Sequence, residues 1–184
     1  TIKFPHRGEI YDVFVDKTKK DFVPWSDVVP ELNFDSSTQQ MSLVTVPTME
    51  TVATSFWLEN LLPNKHGAML IGSAGCGKTA LLCELARRLG RGASMVKVHL
   101  DEQLDSKVLL GSYICSEAAG EFQWQPGVVT QAVAQGRWLL LEDVDRAPVE
   151  VMAALSSLLE TRVLYVPGRA QALRAAPGFQ IWGT

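Results

Sequence analysis

The chain has 184 residues, 47% hydrophobic and 20% charged, with seventeen Lys and Arg against twenty Asp and Glu for a formal net charge of -3. That length suits one domain with a real core, and the composition is too apolar and too weakly charged for a disordered chain. No apolar run approaches the roughly 18–20 residues that span a bilayer, and the mildly acidic balance argues against a dedicated nucleic-acid surface.

Residues 1–47 read as an irregular lead-in. They hold Pro5, Pro24, Pro30 and Pro47 and a polar, turn-rich stretch over 33–40, although 10–15 is apolar enough for a strand. The opening TIKFPHRGEIYDVF lacks the apolar core and cleavage site of a signal peptide. From Thr48 the pattern changes: Thr48 is a helix cap, and Met49, Val52, Phe56 and the apolar run 58–62 give a helical face ending before Pro63. Residues 67–72 form a short apolar run bounded by glycines, which reads as a buried strand. A helix is expected over 78–89, closed by Gly90, and a second buried strand over 95–100.

Beyond it, 104–110 looks helical, 112–115 and 122–125 look like two arms of a hairpin, and 128–135 looks helical. Residues 138–141 are a third apolar strand, 149–160 a helix, 163–166 with 172–174 a second hairpin, and 179–182 a fourth strand. Strands alternating with helices imply a parallel sheet covered on both faces, because parallel strands need long crossovers. The chain starts and stops without flexible polar tails, which predicts a piece of a longer polypeptide. Cys76, Cys83 and Cys115 are odd in number and lack metal-ligand spacing, so reduced intracellular thiols are expected.

The sharpest motif is Gly72-Ser73-Ala74-Gly75-Cys76-Gly77-Lys78-Thr79, a full Walker A match to G-x4-G-K-[ST] placed between an expected strand and an expected helix. Its glycines let the backbone wrap and aim successive N–H groups at phosphate oxygens, and the helix beginning at Lys78 adds its positive end. The Lys78 ammonium is expected on the β- and γ-phosphates and the Thr79 hydroxyl on Mg²⁺. Cys76 reads as a small filler of the loop rather than a redox centre.

Such a loop needs a carboxylate at a neighbouring strand end, and Glu142-Asp143 after the apolar run 138–141 is the Walker B candidate. Most ATPases that use such a loop place Asp first, for the metal shell, and Glu second, as the base. Here Glu142 is one methylene longer at the metal position and Asp143 one shorter at the base position. Glu142 is therefore expected to support Mg²⁺, and Asp143 to activate water with a handicap of reach, since errors of about 1 Å cost ~100-fold. Arg146 reads equally as a contact to a neighbouring subunit or as a surface salt-bridge partner. His99, Trp57 and Trp138 read as core or strand residues, His6 and His66 have no partner spacing, and nothing suggests a Ser-His-Asp, zinc or haem site.

These residues resemble the AAA+ family, and within it the midasins, very large ring ATPases of ribosome assembly. The resemblance covers residues 67–184. It rests on LIGSAGCGKTALLCELAR, VKVHLDEQLDSKVLLGSY, GEFQWQPGVVTQAVAQGRWLLLEDVDRAP and VPGR…LRAAPGFQIWGT, including the reversed Glu142-Asp143 pair followed by Val-Asp-Arg-Ala-Pro. It implies a P-loop NTPase three-layer αβα sandwich, the large AAA+ subdomain without its lid. Residues 110–127 would be the helix-2 insert hairpin and 163–174 the hairpin before sensor 1. It also implies a lead-in over 1–47, an incomplete nucleotide-binding core over 48–184, and ATP with Mg²⁺ held by Gly72 to Thr79 and Ala80. Sensor 1, the arginine finger and the lid would lie outside the chain, so the isolated piece is expected to bind ATP weakly and hydrolyse it little.

The first third resembles the lead into a dynein heavy chain AAA+ module, through GEIYDVFVD, FVPWSDVVPEL and VPTMETVATSFWLENLL. That likeness implies that Val46, Pro47 and Thr48 border the adenine pocket. The partners implied are neighbouring AAA+ modules of the same chain in a ring and a pre-ribosomal particle in the nucleus; the dynein alternative implies a microtubule, in cytoplasm or cilium. A non-hydrolysing nucleotide-binding scaffold stays open because of the reversed acids. A small-molecule kinase is disfavoured by the two inserted hairpins.

Overall fold

The computed structural model describes residues 4–5, 8–32, 44–115, 120–166, 169 and 172–184. The expected turn-rich stretch 33–40 lies outside the described residues, as do the tips of both expected hairpins, at 116–119 and within 167–171. The chain forms two compact units, Thr1–Asn60 and Leu61–Thr184.

In the first unit β1 (Val13–Asp16) and β2 (Asp21–Pro24) pair antiparallel, Phe14 opposite Val23. The strand expected over 10–15 is thus shortened, because Ile10–Asp12 is a turn of 3-10 helix. Asp16 closes the turn between the strands by accepting from Thr18 N at 2.7 Å and Lys19 N at 3.3 Å. Helix α1 (Met49–Leu61) is capped as expected: Thr48 Oγ1 accepts from Thr51 N at 3.2 Å. Phe14 stacks on Trp25 at 4.3 Å, and Phe56 of α1 meets both rings at 5.2 and 5.3 Å. Stacked and edge-on aromatics at such spacings are favourable beyond their burial. The helix expected to open the nucleotide-binding core at residue 48 therefore shares an aromatic cluster with the lead-in, and the units divide at 60/61. Trp57, expected in a core, is 59% exposed.

The second unit is built on a four-stranded sheet in the order β3-β10-β7-β4, every neighbouring pair parallel. Its strands are β3 (Ala68–Met69), β4 (Met95–His99), β7 (Trp138–Glu142) and β10 (Gln180–Gly183). One crossover is helix α2 (Lys78–Arg88). The next runs through α3 (Ser106–Leu110), the antiparallel hairpin β5 (Gly111–Cys115) and β6 (Phe122–Pro126), and α4 (Val128–Gln135). The last runs through α5 (Val149–Thr161) and the short pair β8 (Val163–Leu164) and β9 (Leu173–Arg174). Both hairpins expected from the sequence are present, each inside a crossover.

Central strand β7 is buried along 138–141 because it has a strand on each side and helices on both faces. Leu139 and Leu141 share a cluster with Val98, Leu100 and Ile181, and with Val129, Val133, Val151, Leu155 and Leu158 of α4 and α5. Strand alternation turns Trp138, Leu140 and Trp182 to the other face. They lie outside that cluster and are buried, as are Leu82, Leu85 and Ala86 of α2.

Strands 67–72 and 95–100 were both expected to be buried, and the structure puts them at the two edges of the sheet as β3 and β4; Val98 and Leu100 are nonetheless in the core, whereas no residue of β3 is fully buried. Met69 is accordingly 50% and Ile71 88% exposed, and on β4 Lys97 lies exposed on the edge, a charge that blunts an open strand. No helix among the described residues is long and apolar enough to cross a membrane.

Candidate nucleotide site

The C-terminal ends of the four parallel strands converge, which is where open α/β sheets carry ligands. From β3 the chain runs through 70–77 into α2. Gly75 (φ 80°) and Gly77 (φ 91°) adopt left-handed conformations that side chains disfavour, and Gly77 is the cap residue that turns the loop into the helix. A Cβ on Gly72 would stand 3.1 Å from Cys76 Sγ, so the loop closes on itself tightly. The Lys78 ammonium bends back across it and donates to Gly72 O at 3.0 Å and Ser73 O at 2.9 Å, with Cys76 Sγ at 3.8 Å. Ser73, Ala74, Gly75, Cys76 and Gly77 are exposed along this cradle, Ala80 follows as an exposed residue of the first turn of α2, and Cys76 is a free thiol.

Glu142 ends β7, two strands away from β3. Even so, Thr79 Oγ1 donates to Glu142 Oε1 at 2.7 Å, a short, half-buried, charge-assisted bond. The pair expected to share Mg²⁺ is therefore brought together from positions 63 apart in sequence. A hydroxyl and a carboxylate side by side, opposite a lysine over a backbone cradle, fit a divalent cation bound mainly through phosphates and water.

Asp143 follows in the left-handed region, at φ 55° and ψ 53°. Aspartate tolerates this conformation better than most residues. Parity along the strand would send Asp143 to the face opposite Glu142, whereas His99 is opposite Glu142 in register and shares its face. The left-handed turn swings the carboxylate round, so that Asp143 Oδ2 lies 3.5 Å from His99 Nδ1, with both side chains more than half exposed. His99 was expected only as a core or strand residue. It is the functional candidate the sequence reading missed, and the signal available was its place at the end of an apolar strand run. Trp138, by contrast, is in the core at 3% exposure.

The loop after β7 is tied to the end of β10: Thr184 N donates to Leu141 O at 2.9 Å and Val144 N to Thr184 O at 3.2 Å. Arg146, in the 3-10 turn Val144–Arg146, is exposed and makes no ion pair among the described residues. Val46, Pro47 and Thr48 belong to the first unit, Val46 exposed and Pro47 half-buried. His66 contributes its carbonyl, which accepts from Gln180 Nε2; His6 is outside the described residues.

A parallel sheet with helical crossovers, a glycine loop opening α2 and an acid beside it define the P-loop NTPase fold of the AAA ATPases. The chain belongs to the AAA domain family, dynein-related subfamily, whose model matches residues 67–184. Among curated relatives, midasin of Dictyostelium discoideum is 49% identical over 116 residues, covering 63% of this chain and 2% of that protein. The ciliary dynein beta chain of Tripneustes gratilla is 35% identical over 109 residues, 59% of this chain and 2% of its own length. Midasin of Giardia intestinalis is 30% identical over 156 residues, 84% of this chain and 3% of that protein. The chain thus corresponds to a small fraction of each relative.

Proposed function

We propose that this chain is a Mg-ATP-binding and hydrolysing module of a large midasin-like mechanochemical ATPase that remodels pre-60S ribosomal particles in the nucleus, set in a ring with neighbouring modules. The observation carrying the chemistry is the 2.7 Å bond from Thr79 to Glu142. The midasin assignment rests on the 49% identity over 116 residues, and on a second midasin match whose 156 residues are more than the second unit holds and so extend into the first.

In this reading the N–H groups of 73–78 and the start of α2 bind the phosphates, and Lys78 exchanges its two loop carbonyls for phosphate oxygens. Thr79 and Glu142 hold Mg²⁺, which when bound neutralises charge on the β- and γ-phosphates. Asp143 accepts the proton of the attacking water, and His99 holds that carboxylate by its exposed edge. The shorter acid suits slow hydrolysis, which keeps the non-hydrolysing scaffold as a specific competitor. A dynein motor module is the other reading, carried by the 35% identity to the ciliary beta chain.

The test is single-turnover hydrolysis in the full-length protein that carries this module. Lys78→Ala is expected to abolish nucleotide binding at this site, while Asp143→Asn retains binding and stops turnover. Hydrolysis untouched by Asp143→Asn removes Asp143 from its role; binding without any turnover in the wild type favours the scaffold.

A further inference from the structure

We propose that Arg162 is a positioning residue for the nucleotide site and acts on it from the opposite end of the sheet. Its guanidinium fixes the register of β3 on β10, and so the place of the phosphate loop relative to Glu142, on the reading of Gly72 to Thr79 as that loop.

Strand β3 is by itself a weak mount. It is an edge strand of two residues. Its backbone pairing with β10 sets Trp182 opposite Ala68 and Gly183 opposite Met69, and Leu70 N then donates to Gly183 O at 2.9 Å. The loop starts directly after. Because β10 is itself paired with β7, Gly183 opposite Leu141, the register of β3 sets where Thr79 stands relative to Glu142. A slip of one residue moves a strand by about 3.3 Å, while errors of about 1 Å already cost reacting groups dearly.

Side chains carry the register where the backbone ladder stops. Continued backwards, it sets Gly67 opposite Ile181, His66 opposite Gln180 and Lys65 opposite Phe179. A Cβ on Gly67 would stand 3.0 Å from Ile181 Cγ2, so the strands close there over a residue with no side chain. Gln180 is buried, and its Nε2 donates to His66 O. Arg162 bridges the last pair, donating to Lys65 O at 3.3 Å and to Phe179 O at 2.7 Å from the two arms of one planar fork. A slipped β3 would take Lys65 O and His66 O away from both donors.

The guanidinium is committed to this bridge. It lies 5.1 Å from the centroid of the Phe179 ring and makes no ion pair among the described residues. Burial pulls its pKa below the ordinary arginine value, a cost that the two carbonyls and the ring offset. Arg162 also ends α5 in the left-handed region, at φ 61°, where glycine is the usual occupant. The backbone there suits glycine; the bridge is what an arginine adds.

The test compares two variants in the full-length protein that carries this module. Arg162→Gly suits the left-handed backbone and removes the fork, and Arg162→Lys keeps the charge without the fork. Arg162→Gly is expected to weaken Mg-ATP binding at this module about ten-fold while the single-turnover rate at saturation stays within about two-fold, because bound nucleotide restores the register at the expense of affinity. Arg162→Lys is expected to recover part of this, to a loss of about three-fold. Amide exchange is expected to quicken at Leu70 and to stay unchanged at Leu139, Leu140 and Leu141 of β7, which separates a shifted edge strand from a loosened fold. Two results overturn the proposal: wild-type affinity in Arg162→Gly while Lys78→Ala abolishes binding, or exchange at Leu139–Leu141 that quickens as much as at Leu70. Should Arg162→Gly not fold, Arg162→Lys decides by the same readings. A wild type that binds no Mg-ATP at this module is a different outcome, which removes the nucleotide reading and the proposal together.

Discussion

Replacing Thr79 by Val tests the link between the loop and the central strand. Val keeps the branched shape and removes the hydroxyl that donates to Glu142 at 2.7 Å. A hydrogen bond to a charged group contributes about 1.5–3 kcal/mol when well buried. Both partners are only half-buried, so solvent replaces part of the loss and about 1 kcal/mol is expected. The readout is hydrogen exchange of the amides of Leu139, Leu140, Leu141 and Ile181, which lie in the two inner strands of the sheet and report the second unit alone. With Thr79→Val, Glu142→Ala and the double variant, the cycle is expected to give a coupling of about 1 kcal/mol. Mg-ATP at 100 times its Kd is expected to add about 2.7 kcal/mol of protection to the wild type. In Thr79→Val the increment is expected to be the same with and without Mg²⁺. A coupling under about 0.3 kcal/mol, or a full Mg²⁺-dependent increment in Thr79→Val, refutes the assignment.

His99→Ala, which frees the Asp143 carboxylate, is expected to lower single-turnover hydrolysis about ten-fold while ATP affinity stays within about two-fold; an unchanged rate means the 3.5 Å contact has no part in turnover. Gly127→Ala would put a Cβ 2.3 Å from Leu109 O, a backbone clash expected to destabilise the α3–α4 region by more than about 2 kcal/mol, read from faster exchange of α4 amides. Asp16 accepts from the Thr18 and Lys19 amides, and these bonds, Thr18 first, hold its carboxyl below the ordinary carboxylate value. Because the folded value is the lower one, the stabilisation of that turn is present above the ordinary carboxylate range and is lost as pH falls through the lowered value. Exchange at Thr18 and Lys19 is therefore expected to quicken at acid pH relative to Asp16→Asn, and no difference between the two refutes it.

Local order was largely legible in the sequence. Helix α4 falls on the expected 128–135, the helix expected over 78–89 stops before Gly90, and both hairpins sit on the expected segments, the second with arms of only two residues, Val163–Leu164 and Leu173–Arg174. These are signals of the chain's own period and punctuation. Strand order was not legible: 67–72 is an apolar run and 95–100 a mostly apolar one broken by Lys97 and His99, yet both lie at edges while 138–141 lies inside, because order is a property of the crossovers. Trp57 was misread for the same reason; an aromatic on a helical face is core only if something covers that face.

By itself the sequence determined the glycine loop, its lysine and threonine, and the two acids at a strand end, since each needs only neighbours in the chain. The tertiary structure alone decided that Thr79 meets Glu142 with another strand between β3 and β7, and that Asp143 faces His99. The first depends on parallel strands ending at one edge of the sheet. The second depends on a single left-handed residue that overrides the alternation of side chains along β7.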